Sequence, residues 1–158
     1  MHRKYERKFS QSNEDLYLKE IFAKLNLSIN WCCEFGAWDG LTFSNTFYFV
    51  KNNQTNAVFI EGDELKYNDL LSTAKDFHNI TPIKAFVDHR TGSNESLDNL
   101  LSSTNIPIDF DILSIDIDSH DADVWLSLSK YQPKCVIIEI NNEIPPGIKQ
   151  KHGDMTDE

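Results

Sequence analysis

Short apolar runs alternate five times with segments of helical spacing, and this rhythm limits the fold more than any other feature of the chain. The runs cover residues 29–35, 57–60, 80–87, 110–117 and 135–140; they are rich in Ile, Val and Phe and stop at Gly, Glu, Asp or Asn. Their length and their polar or glycine stops suit buried strands better than buried helices. Between them lie Tyr67, Leu70, Leu71, Ala74 and Phe77 at helical spacing, then Leu97, Leu100 and Leu101, with shorter helical stretches at 42–50 and 124–128. A helix precedes the first run: Leu18, Ile21, Phe22 and Leu25 fall at i, i+3, i+4 and i+7, behind Ser12 and Asp15, which are spaced like a helix start. Strand and helix in alternation predict a Rossmann-like, doubly wound α/β domain. Its five-stranded sheet is mostly parallel, with helices on both faces and right-handed crossovers. The third run is strand-like even with Pro82 in it, a residue tolerated on an edge strand.

At 158 residues the chain holds one core. A single domain is expected over 1–144. Residues 145–158, which begin Pro145-Pro146-Gly147, read as a polar tail. No apolar run is long enough to span a bilayer. With 25 Asp+Glu against 15 Lys+Arg the net charge is -10, which repels phosphate backbones, so nucleic acid is not an expected partner. The cysteines are three, and Cys32 and Cys33 are adjacent in an apolar run, which fits neither a disulfide framework nor a zinc knuckle. A reducing, cytoplasmic setting is expected.

In a doubly wound sheet, ligands bind beyond the carboxyl ends of the strands, where strand order reverses. The first run ends Glu34-Phe35-Gly36-Ala37-Trp38-Asp39-Gly40, an acidic residue and two glycines at a turn. The second ends at Glu61, about twenty residues beyond the glycine loop, where a carboxylate can accept from both hydroxyls of an adenosine ribose. Gly-x-Gly-x-x-Gly is absent, so a pyrophosphate has no cradle and a nucleoside without phosphates fits better. S-adenosylmethionine has that form, and its positive sulfonium suits an acidic crevice. The fourth run ends Ile115-Asp116-Ile117-Asp118-Ser119-His120. If the backbone stays extended, Asp116, Asp118 and His120 share one face and can act as a general base on a hydroxyl or hold a divalent metal. In the plainer reading, Asp118 caps the next helix and His120 lies on its surface. Glu139 and Asn141, emerging from the most apolar run, are candidates for substrate contact, and Asn141 joins Asp116 and Asp118 as a candidate ligand for a metal such as magnesium.

Several segments occur in the order seen in FkbM-type methyltransferases. They are Glu34 to Gly40 with Ser44-Asn45-Thr46, Phe59-Ile60-Glu61-Gly62-Asp63, Ser96 to Leu101, Leu113-Ser114-Ile115-Asp116-Ile117-Asp118 and Val136-Ile137-Ile138-Glu139-Ile140-Asn141. The likeness runs from about Ser10 to Pro146, and the polar segment Ser10 to Asp15 resembles the one that precedes the first helix in one branch of that family. The resemblance implies a class I S-adenosylmethionine-dependent fold and O-methylation, often of a sugar or polysaccharide hydroxyl. It implies that Glu34, Gly36, Asp39, Gly40 and Asn45 surround the methionine part, Glu61 the ribose and Asp88 the adenine, with Ala37, Asp63 and Asp116 also at the cofactor. Ser119-His120 departs from the family pattern. The family's C-terminal antiparallel strands have no counterpart after Asn141, so a homodimer or a partner subunit is expected to cover the sheet edge. Two other functions compete with methyl transfer: a nucleotide-sugar glycosyltransferase that uses Asp116-Ile117-Asp118 as a metal motif, and a non-catalytic S-adenosylmethionine-binding module.

Overall fold

The computed structural model describes residues 9–117 and 120–139. Helix α1 (Glu14–Leu25) is followed by β1 (Trp31–Phe35), α2 (Phe47–Asn53), β2 (Asn56–Glu61), α3 (Glu64–Asp76), β3 (Ile80–Lys84), α4 (Leu97–Ser102), β4 (Ile112–Ile115), α5 (Asp121–Ser127) and β5 (Cys135–Ile138). The strands form one sheet in the order β3-β2-β1-β4-β5, and every neighbouring pair is parallel. This is the Rossmann-like doubly wound domain that the alternation predicts. Among the described residues no helix is long and apolar enough to cross a membrane.

Alternation of side chains across the strands divides the interior into two layers. Cys32, Ala57, Phe59 and Ile112 face Leu18 and Phe22 of α1, Phe47 and Val50 of α2 and Leu70 of α3. Cys33, Phe35, Val58, Ile60, Leu113 and Ile115 face Leu97 and Leu101 of α4 and Val124 of α5. The adjacent cysteines thus sit in opposite layers, both buried as free thiols. Burial pushes both thiols well above their ordinary pKa.

Where the elements are shorter than the apolar runs, a hydrogen-bond partner accounts for it. The third run ends at Lys84 because its neighbour in the sheet ends at Glu61, its register partner. Pro82 lies on that edge strand, opposite Phe59, as its missing N–H requires. The fourth run starts its strand at Ile112. The preceding Asp111 is buried, and its carboxylate accepts from the Asn30 and Trp31 amides and from Lys134 Nζ, tying together the starts of β1, β4 and β5. Helix α2 begins at Phe47 rather than at residue 42, since residues 44–46 turn to meet Glu34. Helix α1 is preceded by Asn13 in the left-handed region (φ 77°) rather than capped by Ser12. Asp15 is buried instead and accepts from Ser10 Oγ at 2.7 Å and from the Phe9 amide at 3.3 Å.

Candidate functional site

Strand order reverses at β1, which has β2 on one side and β4 on the other. At the carboxyl ends of these strands opens a cleft of about 690 Å3. Glu34, Gly36, Glu61, Asp63, Asp116 and Glu139 all line it, so residues from four strand ends that are distant in sequence meet in one place.

Glu61, the last residue of β2, is buried, and its two carboxylate oxygens are fixed from opposite sides. Oε2 accepts from the Trp38 amide at 2.8 Å and Oε1 from the Asp63 amide at 2.8 Å. A carboxylate has about four lone-pair positions, so each oxygen can still accept from a ligand. Gly62 follows, and the ring of Phe86 lies so close to its Cα that any β-carbon there would collide with it. Phe86 is itself 71% exposed, an apolar face turned to the cleft from the loop after β3. Asp63 starts α3 by accepting from the Leu65 and Lys66 amides. The Lys66 amide, ahead of other causes, holds this carboxyl below its usual range.

Glu34 lines the cleft but has its carboxylate committed to the protein. Ser44 Oγ (2.9 Å), Thr46 Oγ1 (2.5 Å) and the amides of Asn45 and Thr46 all donate to it. Burial pushes its carboxyl up and these four donors pull it back. Its role is to fold the loop over the end of β1. Gly36 serves the same junction: with φ at +74°, a β-carbon would overlap the backbone carbonyl of Asp116. Only glycine lets the β1 and β4 ends approach this closely.

Other sequence candidates lie around the cleft rather than in it. Ala37 packs in the core, and Gly40 faces Phe59 and Leu70. Asp39 accepts from the Leu41 and Thr42 amides and from Thr42 Oγ1, which makes it the organiser of its own turn. Asn45 Nδ2 donates to Ser114 Oγ, linking the first loop to β4. Asp88 is held by Arg90 in a two-pronged pair, and that guanidinium keeps its carboxyl well below the usual range. His120 immediately precedes α5, with Nδ1 3.2 Å from Asp123 and its ring stacked on His89 at 4.5 Å. Asp118 and Asn141 fall outside the described residues. Among the described residues no group of three or more His, Cys, Asp or Glu could hold a metal ion.

The sequence reading missed the cleft's aromatics and its N-terminal wall. Trp38, Phe43 and Phe86 line it, each largely exposed, together with Gln11, Thr42 and Lys66. Periodicity assigns aromatics to the core, and Phe43 falls in a stretch read as helix. A signal for Gln11 was present only in the likeness of the Ser10 to Asp15 segment to known sequences.

No family model matches the chain, and no curated protein matches it. Solved structures do match. A protein from Klebsiella pneumoniae assigned as an O-methyltransferase superposes with a TM-score of 0.55 at 14% identity, over 86% of this chain and 57% of that one. The shared property is the fold. A SAM-dependent methyltransferase from Aquifex aeolicus gives 0.49 at 13% identity over 87% and 74% of the two chains. TrmK of M. capricolum, solved with S-adenosylhomocysteine, gives 0.43 at 15% identity over 68% and 41%. The present chain thus spans a little over half the length of the Klebsiella protein.

Proposed function

We propose that the cleft binds S-adenosylmethionine and that the protein is an O-methyltransferase of the FkbM type, acting in the cytoplasm on a sugar or polysaccharide hydroxyl. The observation that carries the reading is Glu61: a buried carboxylate at the end of β2, beside the strand-order reversal, with both oxygens fixed by backbone amides and turned to a cleft. The residues present fit an adenosyl group. Glu61 would accept from the two ribose hydroxyls, and Phe86, over Gly62, would give the adenine a flat apolar face. Among the described residues, five carboxylates line the cleft against the single Lys66, which favours a cationic ligand. When bound, the group supplies a methyl on a positively charged sulfur. The protein's part is to hold the acceptor hydroxyl in line and remove its proton, and Asp116 at the end of β4 is the base in this reading. Half-buried β5 lies at the sheet edge, and a second copy or partner subunit would pair along it.

Titration calorimetry with S-adenosylmethionine, S-adenosylhomocysteine, NAD and a UDP-sugar tests the reading. The two adenosyl ligands should bind and the other two should not. Glu61→Ala should weaken adenosyl binding about tenfold or more, as expected for losing charge-assisted hydrogen bonds worth about 1.5–3 kcal/mol. Binding of the UDP-sugar alone would move the protein to glycosyl transfer. Adenosyl binding with no methyl transfer to any glycan would leave a binding module.

A further inference from the structure

A buried carboxylate is committed to the segment ahead of α1. Asp15 is enclosed, and it accepts from Ser10 Oγ at 2.7 Å and from the Phe9 amide at 3.3 Å, bonds that offset the cost of enclosing it and fix residues 9 and 10. Phe9 packs edge-on against Phe47 at 4.8 Å, and Ser10 pairs with Phe43 through an isolated parallel bridge. The segment is thereby joined to the loop after β1, where the cofactor reading puts the methionine part. Gln11 comes next and lines the cleft with an exposed side chain. Among the described residues its amide has no hydrogen-bond partner.

The methionine part of S-adenosylmethionine carries an ammonium and a carboxylate. The five carboxylates that line the cleft suit the first and repel the second, so the ligand's own carboxylate needs a donor. Among the described residues, the side-chain donors on the cleft are Gln11, Trp38, Thr42 and Lys66. Thr42 Oγ1 donates to Asp39. Lys66 Nζ lies over the Trp38 ring at 5.2 Å, and both residues adjoin Glu61: the Trp38 amide donates to its carboxylate, and Lys66 stands in the first turn of α3, just past Asp63. That leaves Gln11 beside the loop after β1. We infer that Gln11 Nε2 donates to the methionine carboxylate of the cofactor, which makes the pinned segment before α1 a part of the cofactor site. The inference rests on the cofactor reading above and adds to it a residue that no strand end supplies. A glutamine meets the carboxylate as a neutral donor, so it adds no positive charge to repel the sulfonium.

Titration calorimetry on the full chain tests this with S-adenosylhomocysteine and decarboxylated S-adenosylhomocysteine, two ligands that differ by this carboxylate alone. Gln11→Ala should weaken S-adenosylhomocysteine about tenfold, as expected for one hydrogen bond to a charged group, and leave the decarboxylated ligand within about twofold. Gln11→Glu should weaken S-adenosylhomocysteine further, by repulsion, and should not weaken the decarboxylated ligand. Glu61→Ala should weaken both ligands alike. The Gln11 side chain is exposed, so the urea midpoints of its variants should match wild type. Unchanged S-adenosylhomocysteine affinity in Gln11→Ala overturns the inference, as does an equal loss of both ligands. A selective loss of S-adenosylhomocysteine in Lys66→Ala that Gln11→Ala does not show overturns it too, by moving the anchor to Lys66. Wild-type protein that binds neither ligand overturns the cofactor reading, and this inference with it.

Discussion

Gly36→Ala should be far more damaging than its size suggests, and Gly92→Ala is the control that shows why. Both glycines have positive φ, +74° and +83°, so alanine at either position carries the left-handed penalty of about 1–2 kcal/mol. At Gly92 nothing lies within 4 Å of the added β-carbon, and the penalty ends there. At Gly36 the β-carbon meets the Asp116 carbonyl, a backbone atom fixed at the end of a central strand, and forcing β4 aside adds about 1–3 kcal/mol. The total is about 2–5 kcal/mol out of a typical stability of about 5–15 kcal/mol. With a urea slope of about 2 kcal/mol/M, the midpoint should drop by about 1–2.5 M for Gly36→Ala and by about 0.5–1 M for Gly92→Ala. Urea unfolding followed by tryptophan fluorescence reads both. Equal midpoints would refute the claim that the β1 and β4 ends are in contact through this glycine. Adenosyl binding should also fall in Gly36→Ala at low denaturant and be kept in Gly92→Ala.

Other consequences are independent of that one. Phe86→Ala should weaken S-adenosylhomocysteine binding about fivefold, the worth of one lost ring contact of about 1 kcal/mol, with little change in urea midpoint because the ring is exposed. Burial raises the Glu34 carboxyl, so its folded form prefers the proton: its contribution to stability is full below the ordinary glutamate range and is lost as pH rises through the raised value. Wild-type protein should therefore lose stability across that window more steeply than Glu34→Gln, as urea midpoints at a series of pH values would show. Ellman's reagent should react slowly with one thiol per native chain, the partly buried Cys135, whose thiol burial also pushes up, and reach Cys32 and Cys33 only on unfolding, since both are fully buried. Asp116→Asn should abolish methyl transfer to an acceptor while adenosyl binding persists; equal loss of both would place Asp116 at the cofactor rather than at the acceptor proton.

The residues that the sequence singled out divide by how far their partners lie from them. Glu34, Gly36, Glu61, Asp63, Asp116 and Glu139 line the cleft because the strand-end rule needs only the alternation of elements, which is written along the chain. Asp39 and Asp88 also lie at strand ends or in the loops after them, yet their carboxylates close local turns with Leu41, Thr42 and Arg90. An aspartate that closes a turn and one that faces a ligand look alike in sequence. His120 is similar: it immediately precedes α5, with Nδ1 3.2 Å from Asp123 and its ring stacked on His89. The aromatic rim was hidden for a different reason. Whether Trp38, Phe43 and Phe86 are core or surface depends on left-handed backbone at the first two and on the Gly62 contact at the third, none of which has a periodic signature.

A crystal structure with S-adenosylhomocysteine tests the central claim most directly. The account predicts the ligand in the cleft, both ribose hydroxyls about 2.5–3.0 Å from the Glu61 carboxylate oxygens, and the adenine against Phe86. Saturating ligand absent from this cleft, or bound with its ribose away from Glu61, would contradict it.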